Sequence, residues 1–231
     1  DHRFVTVGRD GTARLWKQPV SAVSMAGHTG IVHSLASAGS GTWSLTISDD
    51  MTTRRWDSAG GLVAQFANHT QPLRAVAIRD DDASFATGDA EGTVWVWDAA
   101  SGAAQGVVRA HAGAITSLEF SADRSSLITA GIDGTIRSWT LPLPAQKLVD
   151  GEEPPKPAWE FKSPDSTAVT QLARLSQEEG LLAITTEGTS ILRVGWDGTA
   201  GNAIPSPGGV LKGLNVAASQ AAFLTTGDAG Q

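Results

Sequence analysis

The chain has 231 residues, 41% of them hydrophobic and 18% charged, which suffices for one large β domain or a repeat array. A formal net charge of −7 gives no global basic field for nucleic acid or an anionic membrane. The absence of cysteine removes disulfides, thiolate metal sites and cysteine nucleophiles, and no run of about 18 apolar residues is present, so no membrane insertion is expected.

Asp1 is not methionine and the chain opens directly into an apolar run, 4–7, so the true N-terminus is expected upstream, with any signal peptide. Residues 1–27 read as an opening partial unit: the run 4–7, an Asp10-Gly11 turn and a strand ending at Trp16. An acid-Gly pair between two apolar strands predicts a hairpin, because glycine takes the positive φ that the turn needs. In 28–68, Val32 and Leu35 mark a first strand, 43–47 a second, the run to Trp56 a third and 62–66 a weak fourth. In 69–110, Leu73, Val76 and Ile78 begin the same sequence, followed by 84–87, the Glu91-Gly92 turn, Trp97 and 105–108. In 111–164 come Ile115, Leu118 and Phe120, then 127–130, Asp133-Gly134 and 135–139. A fourth strand, 158–161, follows a polar stretch, 142–157, interrupted by Pro142, Pro144, Pro154 and Pro155, which predicts an exposed loop insertion. Residues 165–206 carry Val169, Leu172, 181–184 and Glu187-Gly188. Residues 207–231 carry Leu211, Leu214 and Val216 and form a closing partial unit, with Ala229 where the acid would stand. No second domain is expected.

Laid over these strands is a fixed spacing. His28, Asp50 and Trp56 are separated by 22 and six residues, as are His69, Glu91 and Trp97, and His111, Asp133 and Trp139; the copies repeat every 41–42 residues. Asp10 and Trp16 repeat the shorter interval. Four short strands at this period predict propeller blades. With Gly27-His28, Trp56-Asp57 and Trp97-Asp98, the pattern resembles the WD-repeat β-propeller family, strongly over 1–140 and weakly over 157–231. The resemblance implies an all-β WD-repeat β-propeller with about five blades present. It is expected to be part of a larger, seven- or eight-bladed ring. The competing arrangement is a closed five-bladed ring, in which the strand near Phe223 pairs with 12–16.

The resemblance also implies a buried hydrogen-bond chain in each blade, from Trp through a Ser or Thr and His to the acid. In the first full repeat the set is His28, Ser48, Asp50 and Trp56. Elsewhere the hydroxyl place falls on Gly8, Asp89 or Gly131, so those sets are expected to be incomplete. In the fourth repeat Asp165, Glu187 and Arg193 keep the intervals without the residue types. Trp196-Asp197 either lies in the following turn or, with a stretched turn, is the true match.

Ser48 beside His28 and Asp50 invites a catalytic-triad reading, but three copies of the pair suit a structural role, and no catalytic residue is assigned. Five histidines spread over different blades give no zinc-ligand spacing, so no metal is expected, and nothing calls for a cofactor. Asn68-His69-Thr70 matches a glycosylation acceptor but coincides with the blade histidine. Arg14, Arg54 and Arg137 each precede a tryptophan by two, so their stems are expected to lie on the indoles as packing rather than as a nucleic-acid platform. By the resemblance, partner-binding candidates line one face of the propeller: His33, Arg74, Thr116, Thr170 and Lys212, one place after the first apolar residue of each blade. Arg9 and Asp49, with Ala90, Ile132 and Thr186, precede the acids. The expected function is a non-catalytic scaffold that binds other proteins through these loops, with no nucleic acid among its partners. The alternative is a non-catalytic propeller part of a larger enzyme, fused to or assembled with a catalytic or redox domain outside this chain. A cysteine-free repeat fold does not fix the compartment: the cytoplasm is slightly favoured, and the expected upstream N-terminus leaves the periplasm or secretion open.

Overall fold

The protein is described by a computed structural model over residues 3–17, 21–144, 155–164, 166–175, 180–186, 188, 190–205, 210–216 and 223–227. All secondary structure in these residues is β. The first sheet holds β1 (Arg3–Val7), β2 (Thr12–Lys17) and β3 (Ser21–Ala26). Four four-stranded sheets follow. The second sheet holds β4 (Val32–Ser37), β5 (Trp43–Ser48), β6 (Thr53–Asp57) and β7 (Leu62–Phe66). The third holds β8 (Leu73–Ile78), β9 (Ser84–Asp89), β10 (Thr93–Asp98) and β11 (Ala104–Arg109). The fourth holds β12 (Ile115–Phe120), β13 (Ser126–Gly131), β14 (Thr135–Thr140) and β15 (Trp159–Lys162). The fifth holds β16 (Val169–Arg174), β17 (Leu181–Thr185), β18 (Ser190–Val194) and β19 (Ile204–Pro205). A two-stranded sheet, β20 (Leu211–Val216) and β21 (Phe223–Gly227), ends the series. Every sheet is an antiparallel meander.

The inner strands β4, β8, β12, β16 and β20 lie side by side in chain order. The residues that follow or end them meet across sheets, Gly39 with Asp82, Arg124 with Asp80, and Arg174 with Asp80, so β4, β8, β12 and β16 run the same way. The turns between second and third strands therefore gather at one end, together with the links from one sheet to the next. This end is called the upper face. The turns after first and third strands gather at the lower face.

The core lies between sheets. Val94, Ala86, Ile115, Leu118, Leu127 and Trp139 join the third and fourth, and Ile128, Ile136, Val169, Leu172 and Leu181 join the fourth and fifth. Second strands are covered on both faces, so β9 and β17 are buried at every position, whereas outer strand β7 leaves Leu62 and Val63 more than half exposed. Turn glycines follow from the backbone: Gly92 and Gly134 have φ of 90° and 75°, and a side chain at Gly92 would run into the His111 carbonyl.

The competing arrangement is ruled out, and one expectation is qualified. The closed five-bladed ring is not adopted: Leu15 on β2 pairs with Val5 on one side and Val23 on the other, so β2 has no free edge, and β21 pairs with β20. In the predicted exposed loop 142–157, Pro142, Pro144 and Lys156 are exposed, but Leu143 is not. Leu143 is 4% exposed within the core between the third and fourth sheets, and the Pro144 carbonyl accepts a hydrogen bond from the Val107 amide. Leu143 supplies apolar area that outer strand β11 would otherwise leave open to water. Residues 145–154 of that loop lie outside the described residues.

Candidate functional site

Each of three sheets contains the same buried polar chain near the upper face. In the second sheet the Trp56 indole N–H donates to Thr46 Oγ1 (2.8 Å), Thr46 Oγ1 lies 2.7 Å from His28 Nε2, and His28 Nδ1 lies 2.9 Å from Asp50. In the fourth sheet Trp139, Thr129, His111 and Asp133 repeat this at 3.0, 2.7 and 2.9 Å. In the third sheet Trp97, Thr87 and His69 do the same at 2.9 and 2.8 Å, ending on Asp89 at 2.9 Å. An indole N–H can only donate and an ionised carboxylate only accept; a hydroxyl that donates to His Nε2 and a His Nδ1–H that donates to the acid complete one consistent line between them. In that line His28 and His111 are neutral imidazoles of one tautomer.

The pKa shifts agree with this assignment. Burial pushes the His28 and His111 pKa down, against the upward pull of Asp50 and Asp133. Burial alone would raise Asp50. Hydrogen bonds from Thr52, His28 and the Thr29 and Thr52 amides overcome it and hold the carboxyl at about 2. Asp133 is held at about 2 in the same way, with His111 and Thr135 as the main donors.

Two members assigned from spacing are corrected. Ser48 is not the hydroxyl of the chain: it is buried at the end of β5 and accepts the Asp50 amide at 3.2 Å, while Thr46 joins His28 to Trp56. The strand's two-residue alternation explains the error. Thr46 points to the same side as Ser48 but two residues deeper, level with the indole. The sets expected to lack a hydroxyl are therefore complete, through Thr87 and Thr129. Glu91 is not the acid of the third sheet either. It is exposed, and Asp89 holds His69. Asp89 also accepts the Glu91 and Thr93 amides, a short-range turn bond that aspartate can make and the longer glutamate side chain fits poorly. A signal for the threonines was present in the sequence. Thr46, Thr87 and Thr129 each stand 18 residues after the histidine and ten before the tryptophan, intervals that do not vary, whereas the acid interval does. Thr6 precedes Trp16 by the same ten and accepts its indole N–H at 3.0 Å.

In the fifth sheet the tryptophan and threonine places are apolar. Leu181 pairs with Val194 as Leu127 pairs with Trp139, and Ala183 sits where Thr129 sits. Val194 therefore takes the tryptophan place, and Arg193 does not. The turn before β18 is one residue longer than its counterpart. Trp196 lies beyond the strand, in a turn closed by the Gly195 amide on the Thr199 carbonyl. Asp165 and Glu187 lie outside the described residues.

Arg14 and Arg137 return to the acids four residues earlier, Asp10 and Asp133, at 2.8 and 3.2 Å. Among the described residues a cation–π contact places Arg55 over Trp43, at 4.4 Å.

On the upper face, the partner-binding candidates share one backbone feature. The register between inner and second strand shifts at the same place in five sheets, between Val32 and Ser34, Leu73 and Ala75, Ile115 and Ser117, Val169 and Gln171, and Leu211 and Gly213. The extra residue of each β-bulge is His33, Arg74, Thr116, Thr170 or Lys212. A bulge re-aims its side chain out of the ladder. Asp49 joins two of them, accepting from Arg74 and bonding His33 Nε2, each at 2.7 Å. The Arg74 hydrogen bond first, then that to His33, keeps Asp49 below the usual carboxylate range. Thr116 and Thr170 spend their hydroxyls on the Val169 and Ile184 carbonyls, whereas Arg9 and Lys212 are exposed. Ile132 and Met51, at or beside the turns between second and third strands, are 52% and 41% exposed. Glu119 on β12 is pushed up to about 7 by burial, and Arg174, not a second carboxylate, opposes the shift. This is not the paired-acid arrangement of a general acid–base site.

The family model described as "WD domain, G-beta repeat" matches residues 20–57, 60–98 and 102–140. Among curated proteins, the chain is 27% identical over 163 residues to nuclear distribution protein PAC1-2 of Uncinocarpus reesii, a match covering 60% of this chain and 35% of that protein. It is 26% identical over 140 residues to DENN domain and WD repeat-containing protein SCD1 of Arabidopsis thaliana, covering 59% of this chain and 12% of that protein. A 71-residue stretch is 37% identical to periodic tryptophan protein 2 of Arabidopsis thaliana, covering 31% of this chain and 8% of that protein. The chain thus spans about a third or less of the length of these relatives.

Proposed function

The chain belongs to the WD-repeat family, and from that premise we propose that it is a non-catalytic scaffold that binds partner proteins through its upper face. The observation that carries this reading is the repeated bulge. Five sheets each place one side chain out of the ladder at the same end, and only its identity changes from sheet to sheet: His33, Arg74, Thr116, Thr170, Lys212. A fixed backbone with a variable side chain can specify a partner without disturbing the core. Arg9 and Arg74 are the anchors, since arginine is enriched among interface hot spots, and Ile132 and Met51 add apolar area.

A photo-crosslinking residue placed at 33, 74 or 132 in turn, and at 58 or 101 on the lower face as controls, tests this in extract from the source organism. The expected result is a discrete adduct from the upper positions. Its purified partner should then lose affinity for Arg9→Ala/Arg74→Ala with the melting temperature nearly unchanged. Adducts formed equally from both faces, or a parallel loss of stability and binding, would remove the reading.

A further inference from the structure

Among the described residues, the aspartates of the two faces are compensated differently. On the upper face, Asp10, Asp49 and Asp133 each pair with an arginine, and Asp50 and Asp89 with a histidine. On the lower face, Asp80 and Asp81 are compensated by Arg79, Arg124 and Arg174. Asp57, Asp82, Asp98, Asp123 and Asp197 are not. These five end third strands or sit in turns after first or third strands, hold nearby amides or hydroxyls, are wholly or partly exposed, and have no cationic partner among the described residues. Turn chemistry explains why aspartate stands there, since its carboxylate closes the turn. The uncompensated charge is a consequence that turn chemistry does not require, because asparagine would serve as well.

One of these turns borders a cleft of about 460 Å³ between the fourth and fifth sheets. Buried Ile128 lines it, Ser121, Asp123 and Ser125 form one side, and Trp196 forms the other. The Trp196 wall is preformed. The Trp159 indole on β15 donates to the Trp196 carbonyl at 2.7 Å. Gly198, at φ 82°, brings the turn so close to that indole that a Cβ would stand 2.9 Å from it. Asp197, next to Trp196, accepts the Thr199 amide and hydroxyl at 3.0 and 2.7 Å. An aromatic wall, a small apolar floor and the Asp123 carboxylate, which has no cationic partner among the described residues, suit a long cationic side chain. An aliphatic stem enters the cleft, a guanidinium lies on the indole, and its N–H groups reach Asp123, with the Asp197 charge next to the indole in sequence.

We propose that this lower-face cleft, walled by Trp196 and Asp123, docks an arginine-containing basic segment of a partner protein. The site is separate from the upper face and stands without the reading given above. Uncompensated Asp57 and Asp98, on the same face but in other sheets, add long-range attraction rather than contact.

The test titrates the folded chain with three fluorescein-labelled nonapeptides, alternating glycine with arginine, lysine or glutamate, and reads anisotropy. The arginine peptide should bind most tightly, the lysine peptide more weakly and the glutamate peptide not at all. Trp196→Leu should weaken arginine-peptide binding by about fivefold or more, the range for losing a cation–π contact. Asp123→Asn/Asp197→Asn, which keeps the turn acceptors, should weaken it comparably, and Asp57→Asn/Asp98→Asn should do so less. Arg9→Ala/Arg74→Ala should leave it intact, whatever the fate of the upper-face reading. Circular dichroism checks that each variant is folded, and the asparagine pair decides the matter if Trp196→Leu does not fold. Equal binding of arginine and lysine peptides, with the two asparagine pairs equivalent, would reduce the site to diffuse charge and overturn the proposal. So would indifference to the Trp196 and Asp123/Asp197 changes.

Discussion

The second to fourth sheets and the fifth sheet share a backbone and differ in what joins their strands. From His28 to Trp139, each sheet carries a tryptophan, a threonine, a histidine and an aspartate in one hydrogen-bonded line. In the fifth sheet, Ala183 and Val194 stand at the threonine and tryptophan places, both fully buried in an apolar cluster. The strands still pair in the same register, with the same bulge at the start of the inner strand. The polar line is therefore not what makes a blade; strand pairing and apolar packing between sheets suffice. The line ties the loop holding the histidine to the turn holding the acid, and so orders the upper face. Its cost structure is asymmetric: complete, or replaced throughout by apolar groups, it is tolerated, whereas half of it is expensive.

That asymmetry can be broken at several points. The largest effect is expected from His111→Ala, which strands the buried Thr129 and Asp133 and opens a void beside Trp139. Denaturant titration should show a loss of about 3–5 kcal/mol. A loss under about 1 kcal/mol would mean the fourth sheet stands as independently of its polar line as the fifth does without one.

Acid gives the next effect, and its sign follows from the shifts. His28 and His111 have folded pKa values below the ordinary 6.5, so the unfolded chain takes up protons first and stability falls as pH drops below 6.5. Asp50 and Asp133, held at about 2, contribute stability that is complete above 3.8 and is lost between 3.8 and about 2. Each carboxylate supplies about 2 kcal/mol over that window. Urea midpoints from pH 8 to 2, followed by a fluorescent probe in the second sheet, should decline in these two stages. A flat profile would contradict the neutral-histidine assignment.

The smallest effect sharpens the comparison from the other side. Ala183→Thr puts the hydroxyl of the other sheets into the fifth, where it meets Leu172 and Val194 instead of an indole and an imidazole. It should destabilise by about 1–2 kcal/mol by the same measurement. A neutral outcome would show that a neighbouring backbone carbonyl takes up the hydroxyl.

Much of the fold was legible in the sequence because propeller strands are local. Acid-Gly turns, short β-branched runs and a 41–42 residue period placed most strands to within a few residues, though not β3 or β19, whose runs carry a weak apolar signal. Members of the polar line were harder to place. Spacing alone favoured Ser48 and Glu91 because turn position was matched before side-chain depth. The structure uses Thr46 and Asp89, residues two places earlier whose side chains point the same way. In the fifth sheet, one added residue in a turn moved the tryptophan place from Arg193 to Val194, a shift that constant intervals cannot register.

The sequence by itself determined the period, the strands, the turn chemistry and the histidine and tryptophan of each line, since all of these are carried by residues within one repeat. Only the tertiary structure decided which hydroxyl and which acid close each line, that Leu143 turns back into the core, and that Trp196 walls a cleft against Asp123, 73 positions before it. Those outcomes depend on the depth of a side chain within a sheet and on which sheets abut. Sequence separation encodes neither, because strand pairing and sheet packing bring together residues far apart along the chain.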